Sequence, residues 1–508
     1  MPRKRVKSRI MALLLMFTMM IFTEYGCEPE QSDSGNDTDT QTQTDIETVC
    51  DEPEPWTVPS AKQVVGDGSA QDCTEEALRV AASAGGYITF NCGDAPLVIS
   101  IQSKIQTGSE TVIDGGPGDI TLDGGGTSKI IVAPSGGSLS VRNLRFINGK
   151  TPKSKDANGS GGAVAGEWRS KVEIRNCVFE DNTAGRGGGA VAVWSGSSLT
   201  IVGSKFVGNS SYFGGAVYSL LSHLQIVNST FYDNNTTTNG LGGGGAIATD
   251  GASEDPDDAI GGTVEICGVE MRNNYAVKGG GGVYAYVYPP DRVLIDRTTV
   301  ESNEIGGGHG GGMRVSNGEI EIKASSFISN VSNNQGGALY LDCEPSCNIV
   351  NSTFYGNEAG SYGGAISNND HSVNLNNVTF AKNSADRNGG ALFCGDEFTI
   401  NNSIFVDNTA GNPWNQGNNC SATGTGDHVL QWHSATNDDG GGDSCVPGII
   451  TADPLLPSHP EENGGPTPIL LPDANSPVLQ AGTDCEAMDQ HGKPRNEDMC
   501  DLGAVELD

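Results

Sequence analysis

Along the middle of the chain, apolar and polar positions alternate in short bursts. Val172-Glu-Ile174, Leu199-Thr-Ile201, Leu224-Gln-Ile226, Val264-Glu-Ile266, Val293-Leu-Ile295, Ile320-Glu-Ile322 and Phe398-Thr-Ile400 each read as an in-out-in strand triplet, the period of a half-buried strand. The apolar runs are too short for amphipathic helices. Each triplet sits inside a larger phrase. The phrase opens on glycines and a small apolar pair: Gly161-Gly-Ala-Val164, Gly188-Gly-Ala-Val191, Gly214-Gly-Ala-Val217, Gly244-Gly-Ala-Ile247, Gly281-Gly-Val-Tyr284, Gly311-Gly-Met-Arg314, Gly336-Gly-Ala-Leu339, Gly363-Gly-Ala-Ile366 and Gly389-Gly-Ala-Leu392. It closes on a large apolar residue, two variable residues and an asparagine: Phe179/Asn182, Phe206/Asn209, Phe231/Asn234, Met271/Asn274, Val300/Asn303, Phe327/Asn330, Phe354/Asn357, Phe380/Asn383 and Phe405/Asn408. The asparagines are 27, 25, 40, 29, 27, 27, 26 and 25 residues apart. Self-similarity at this period is the signature of a solenoid.

Each repeat has room for three short strands separated by turn residues, and 72 glycines in 508 residues argue against helical repeats. The pattern predicts an all-β chain, a single-stranded parallel β-helix. Its coils, about ten of them, stack at roughly 4.8 Å into a rod on the order of 50 Å long. The large apolar residue is expected inside the coil. The asparagine is expected at the following turn, in the left-handed region and bonded to the neighbouring coil. The glycine pair permits a tight bend and close approach of backbones.

These Gly-Gly-Ala-Ile and Phe-x-x-Asn phrases resemble the repeats of polymorphic outer-membrane proteins and related bacterial right-handed β-helix proteins. The resemblance spans Gly161 to Asn408. It implies a right-handed, pectate-lyase-like solenoid at a bacterial surface and says little about activity. Asp453-Pro-Leu455, Asn463-Gly-Gly-Pro-Thr467, Ser476-Pro-Val478, Asp489-Gln-His-Gly-Lys-Pro-Arg495 and Asp501-Leu-Gly-Ala-Val-Glu506 resemble the choice-of-anchor Q module found after such repeats. Gln490 stands where Arg or Phe is commoner. The module is expected to cap the open carboxyl end, with Asp489, Lys493 and Arg495 ion-paired within it.

The domains then divide as follows. Residues 1–26 read as an export signal, with Arg3, Lys4, Arg5, Lys7 and Arg9 ahead of the apolar stretch Met11 to Phe22, too short for a comfortable membrane span. Tyr25-Gly26-Cys27 resembles the end of a lipobox, which makes Cys27 the candidate lipidated residue and the outer membrane or cell surface the expected destination. Glu24 departs from that pattern, which leaves an uncleaved anchor as the other reading. Residues 27–60 have almost no apolar side chains and read as an acidic, disordered tether. Residues 61–410 are the β-helix, entered through a helix beginning after Thr74, which plugs the open end. Residues 411–508 are the carboxyl extension and cap.

Charge narrows the partners. The formal net charge is −34. Such a surface repels nucleic acid and anionic lipid, so membrane contact is expected only through an amino-terminal lipid. No cofactor is required. Ca²⁺ is the one candidate, at Glu254, Asp255, Asp257 and Asp258, four carboxylates within five residues that form either a weak cation site or a solvated acidic loop. Thirteen cysteines less Cys27 leave an even number, so disulfides are expected. Cys343 and Cys347 form a compact loop that reads as one bridge, with a metal site as the alternative. Cys73/Cys92, Cys420/Cys445 and Cys485/Cys500 pair by proximity.

Function is less legible. Loops leaving the Gly-Gly-Ala strands share one phase and so stack along one edge. They carry Trp168, Trp194, Leu220, Leu221, Tyr286 and Tyr288. Exposed aromatics stack on sugars and anchor protein partners, although these rings also have the option of folding back over the core. A polysaccharide lyase or hydrolase needs carboxylates spread over a coil face, whereas these four lie in one loop, with Arg292 the nearest base a coil later. His309 reads as a turn filler. The reading is a non-catalytic surface rod that binds a glycan or protein; the rivals are a lyase or hydrolase of acidic polysaccharide, and a spacer. The Asn-x-Ser/Thr triplets at Asn228, Asn351 and Asn377 recur at one coil position and read as turn chemistry.

Overall fold

The in-out-in triplets form strands that pair with the same triplet one repeat on. A computed structural model describes residues 48–508 apart from 155, 238–242, 254–259, 369–371, 396, 413–417, 433–443, 497 and 508. Val172 pairs with Leu199 and Ile174 with Ile201, all parallel, and the register continues to Leu224 and Ile226. A 24-stranded sheet, the long sheet, takes two strands from most coils, such as Lys171–Arg175 and Val178–Glu180. An 11-stranded flank sheet runs through the Gly-Gly-Ala strands, such as Val191–Val193. An 8-stranded sheet of two-residue strands, from Ser210–Ser211 to Thr409–Ala410, forms the third side of the later coils.

The coil begins thirteen times in the long sheet, from Lys62–Val65 to Phe398–Asn401, against the ten or so that the repeat phrase implies. The surplus lies at the amino end. There Gly86–Phe90, Glu110–Asp114 and Ser138–Arg142 stack in register without the Gly-Gly-Ala phrase. Strand Leu430–Trp432 also extends pairing beyond residue 410. The helix Glu75–Ala84 is capped by Thr74 and buries Leu78, Ala81 and Ala82 in the solenoid mouth.

Two ladders fill the turns. Phe146, Phe179, Phe206 and Phe231 stack with centroids 4.6–4.9 Å apart. Met271 and Val300 interrupt them, and Phe327, Phe354, Phe380 and Phe405 resume the column. The asparagines beside them are buried. Asn182 Nδ2 donates to Phe146 O of the coil before and to Asn209 Oδ1 of the coil after. The left-handed conformation falls one residue earlier than expected, on Asp181, Asp233, Asn273, Ser302, Ser329, Lys382 and Asp407. That residue turns the chain, and the asparagine, freed from the turn, points inward. At the glycine pair, Gly188 has φ +60°, and a Cβ on Gly189 would lie 2.2 Å from Gly215 O of the next coil. Both positions therefore require glycine.

Three further expectations are corrected. Residues 48–59 are not a free tether within the described chain. They climb the outer face of the long sheet. Arg297 Nη1 donates to Val49 O, Asn228 Oδ1 accepts from Cys50 N, Arg175 bonds Glu52 and Pro53 O, and Arg142 Nη2 donates to Trp56 O. Cys50 is joined to Cys267, 217 residues away. The four other bridges are Cys73–Cys92, Cys343–Cys347, Cys420–Cys445 and Cys485–Cys500. Cys177 and Cys394 remain buried thiols, so the even count does not mean full pairing. Finally, the carboxyl module lies beside the solenoid. Cys420, Val429, Cys445 and Val446 close the core, while Gln490 bonds Ser326 and Thr353, and Ala504 N donates to Thr379 Oγ1 on the long sheet. Arg495 pairs with Glu506 and also feels the charge of Asp489, which accepts backbone N–H groups from His491, Lys493 and Glu506.

Candidate functional site

The long sheet's outer face is largely taken. The 48–59 strap covers its fourth to ninth coils and the carboxyl module its tenth to thirteenth. Asn228, Asn351 and Asn377, the triplet asparagines, are buried there. They bond Cys50, Met488 and the 501–503 backbone. Glu173 is a clamp in the same layer. Burial opposes its charge, but hydrogen bonds from Ser140, Arg175 and Trp56 N and the nearby Arg142 hold its carboxyl below the usual range. A cavity of about 670 Å³ remains at the seam, where Thr48, Arg297 and Lys323 face Met488 and His491.

The flank sheet presents different chemistry. Its middle outward column runs Ala165, Ala192, Tyr218, Ala248, Tyr284, Arg314, Tyr340, Ser367 and Phe393. The Arg314 guanidinium lies between Tyr284 and Tyr340, 5.6 and 5.2 Å from their centroids. His309 meets Tyr340 at 4.6 Å with the rings tilted; burial and then Arg314 push its pKa down. Tyr362 meets Phe393 at 4.6 Å, with Arg387 over Tyr362. The flank is thus a ladder of rings and guanidinium groups, a form of packing with cation–π character.

Its next column holds Leu220, Asp250 and Tyr286 in register, and Trp194 follows the last paired residue, Val193, of the strand before. Trp168 is 52% exposed and Trp194 only 5%, their rings 5.8 Å apart. Leu220 and Leu221 are half-buried. Tyr288 is 42% exposed and meets half-buried Tyr286 edge-on at 5.3 Å. Tyr288 OH donates to Asp250; burial, then this bond, push the phenol up to about 12. Trp194 and Tyr286 therefore form the base of the edge, while Trp168 and Tyr288 reach solvent. Three coil steps, or about 14 Å, separate the two pairs.

A cleft that repeat logic does not indicate opens where the chain enters the flank sheet. The 150–160 insertion folds back on the next coil: Arg186 N donates to Gly159 O, Gly185 N to Thr151 Oγ1, and Thr151 Oγ1 to Gly159 O. Lys129 holds it from below through Ala157 O; burial pulls that ammonium down to about 8. The cavity measures about 760 Å³ and is lined by Lys150, Lys153, Arg186, Tyr212 and Phe213 among others. Lys150-Thr-Pro-Lys-Ser-Lys155, three cations within six residues of an acidic chain, is the signal that could have flagged it.

Glu254, Asp255, Asp257, Asp258 and Cys27 lie outside the described residues. Buried Asp291 accepts N–H bonds from Ala252, Gly262 and Tyr288 and so ties both stems of the acidic insertion to the tyrosine pair. Arg292 is engaged with Glu319 on the long sheet. Among the described residues no three His, Cys, Asp or Glu side chains group to hold a metal ion. Cys343 and Cys347 are joined.

Residues 119–288 match the family model of the right-handed β-helix region. Residues 377–395 match that of the Chlamydia polymorphic membrane protein repeat. No curated protein matches the chain. Both matches fall within the solenoid, which is a right-handed β-helix with repeats of the polymorphic-membrane-protein type.

Proposed function

We propose that this chain is an exported rod of a bacterial cell surface, tethered by a lipid at Cys27, which binds surface glycan along its flank without transforming it. The observation that carries the reading is the flank itself. The long sheet is occupied by the chain's own strap and carboxyl module, whereas the flank side offers Trp168 and Tyr288 to solvent, each against a more buried ring. A ring already held by its neighbour loses little freedom when a sugar stacks on it. Ca²⁺ at Glu254, Asp255, Asp257 and Asp258 belongs to the same reading, because Asp291 joins that insertion to Tyr288. The carboxyl module is taken as a choice-of-anchor Q-like support.

A glycan array run with the purified rod, with and without Ca²⁺, tests this. Binding is expected to a restricted glycan set and to weaken about tenfold or more in Trp168→Ala, as for an aromatic anchor. An array blank for wild type, or unchanged by Trp168→Ala and Tyr288→Ala together, removes the edge. Release of unsaturated or reducing ends from any bound glycan makes the protein an enzyme instead.

A further inference from the structure

The cleft of Lys150, Lys153, Arg186, Tyr212 and Phe213 has no place in the aromatic-edge reading, and its charge runs against the molecule. The protein carries 29 basic and 63 acidic residues, yet among the described residues three cations and no carboxylate line this cavity. Lys150 and Lys153 are exposed and have no ion-pair partner among the described residues. The volume, about 760 Å³, falls in the range of small-ligand sites.

The walls add a second chemistry. Tyr212 and Phe213 meet edge-on at 4.7 Å and Phe213 stacks on Tyr218 at 5.8 Å, so half-buried rings form one side. Arg186 lies beside these rings, hydrogen-bonded with Tyr218. Its guanidinium lies 4.8 Å from the Trp194 ring, and Trp194 leans on exposed Trp168. The cleft is therefore continuous, through one arginine, with the aromatic edge. A bare anion would use the cations and leave the rings idle; a neutral sugar would use the rings and leave the cations idle.

We propose that this cleft binds an acidic sugar, a uronate-bearing segment of a polysaccharide. Lys150 and Lys153 take its carboxylates, Arg186 orients it, and Tyr212 and Phe213 lie against its ring faces. The chain of sugars continues over Arg186 towards Trp194 and Trp168. The inference rests on the reading of the rod as a glycan binder and names the class of glycan.

Calorimetry on the full chain decides it, with four probes: tetragalacturonate, cellotetraose as the neutral tetramer, inorganic phosphate, and vesicles containing phosphatidylglycerol. Tetragalacturonate is expected to bind. Lys150→Ala/Lys153→Ala should weaken it about tenfold or more, since two charge-assisted contacts are lost, and Lys150→Arg/Lys153→Arg should stay within a few-fold of wild type. Both lysines are exposed, so the variants keep the fold, which circular dichroism checks. Equal affinity for cellotetraose, or an unchanged affinity in the double alanine variant, overturns the proposal. Phosphate or vesicles binding as tightly as the uronate also overturns it, in favour of a plain anion or headgroup site. Trp168→Ala run in parallel separates the two readings. Loss there with normal lysine dependence leaves both standing. Lysine dependence without any effect of Trp168→Ala keeps the cleft and overturns the continuation of the sugar chain towards Trp168. Loss in Trp168→Ala with no lysine dependence keeps the edge and removes the cleft.

Discussion

At the scale of single residues, the asparagine ladder carries much of the specificity of the fold. Asn330 is fully buried. Its N–H and Nδ2 donate to Asn357 Oδ1, Nδ2 also donates to Val300 O, and its Oδ1 accepts the backbone and side-chain N–H groups of Asn303. Asn330→Ala strands donors on one side and an acceptor on the other, in a layer that water does not reach. A loss of about 2–4 kcal/mol is expected, since several buried partners go unpaired together. Ser329→Ala, one residue away and exposed, should change little. Urea unfolding monitored by circular dichroism measures both; equal midpoints for the two variants would show that the ladder is not a major source of stability. The sequence discloses this ladder because the Phe-x-x-Asn spacing repeats. It does not disclose which residue turns the chain. Asp181 and Asn182 both tolerate the left-handed region, and only stacking of Asn182 against Asn209 decides between them. Trp168 and Trp194 show the same limit. Register puts them on one edge, but which ring is covered depends on Arg186, a residue of a different turn.

At the scale of elements, the strap is where composition misleads. Residues 48–59 carry few apolar side chains, too few to fold by burial alone, although Val49 packs against the cluster of Cys50, Val227 and Cys267. They are held by other means: backbone groups bonded to Arg142, Arg175, Arg297 and Asn228, and one bridge from Cys50 to Cys267. Such partners come from four distant coils and leave no local signal. Parity left Cys50 and Cys267 among four unassigned thiols. The bridge closes a loop of 217 residues, for which chain entropy gives roughly 5 kcal/mol. In Cys50→Ser/Cys267→Ser the remaining hydrogen bonds no longer share that constraint. Limited proteolysis followed by mass spectrometry should then show cleavage between 48 and 60 well before any in the solenoid, with wild type resistant at the same protease dose. Identical cleavage rates in wild type and variant would mean that the arginine contacts alone fix the strap. The same logic explains why the lysine cleft escapes a repeat-based reading. It is built by an insertion that departs from the repeat and folds onto its neighbours.

At the scale of the whole molecule, the strap sets where the rod is attached. Thr48 leaves the long sheet beside the ninth of thirteen coils, at the Arg297 contact to Val49, and not at an end of the solenoid. Between a lipid at Cys27 and Thr48 lie residues 28–47, which span at most about 70 Å when extended. On the proposed reading a lipid therefore holds the rod through its ninth coil and not through an end of the solenoid. On the same reading the net charge of −34 disfavours anionic headgroups, so membrane association should depend on the lipid alone. Cys27→Ser, expressed from the full sequence in a Gram-negative host, should then move the protein from the membrane fraction to the soluble fraction or leave the precursor unprocessed, and high salt should not release the wild type. Cys50→Ser/Cys267→Ser should stay with the membrane, because it alters only how the rod is held. Membrane partition that survives Cys27→Ser with unchanged mass, or wild type released by salt, would place the attachment in protein contacts and withdraw the lipid anchor from this account.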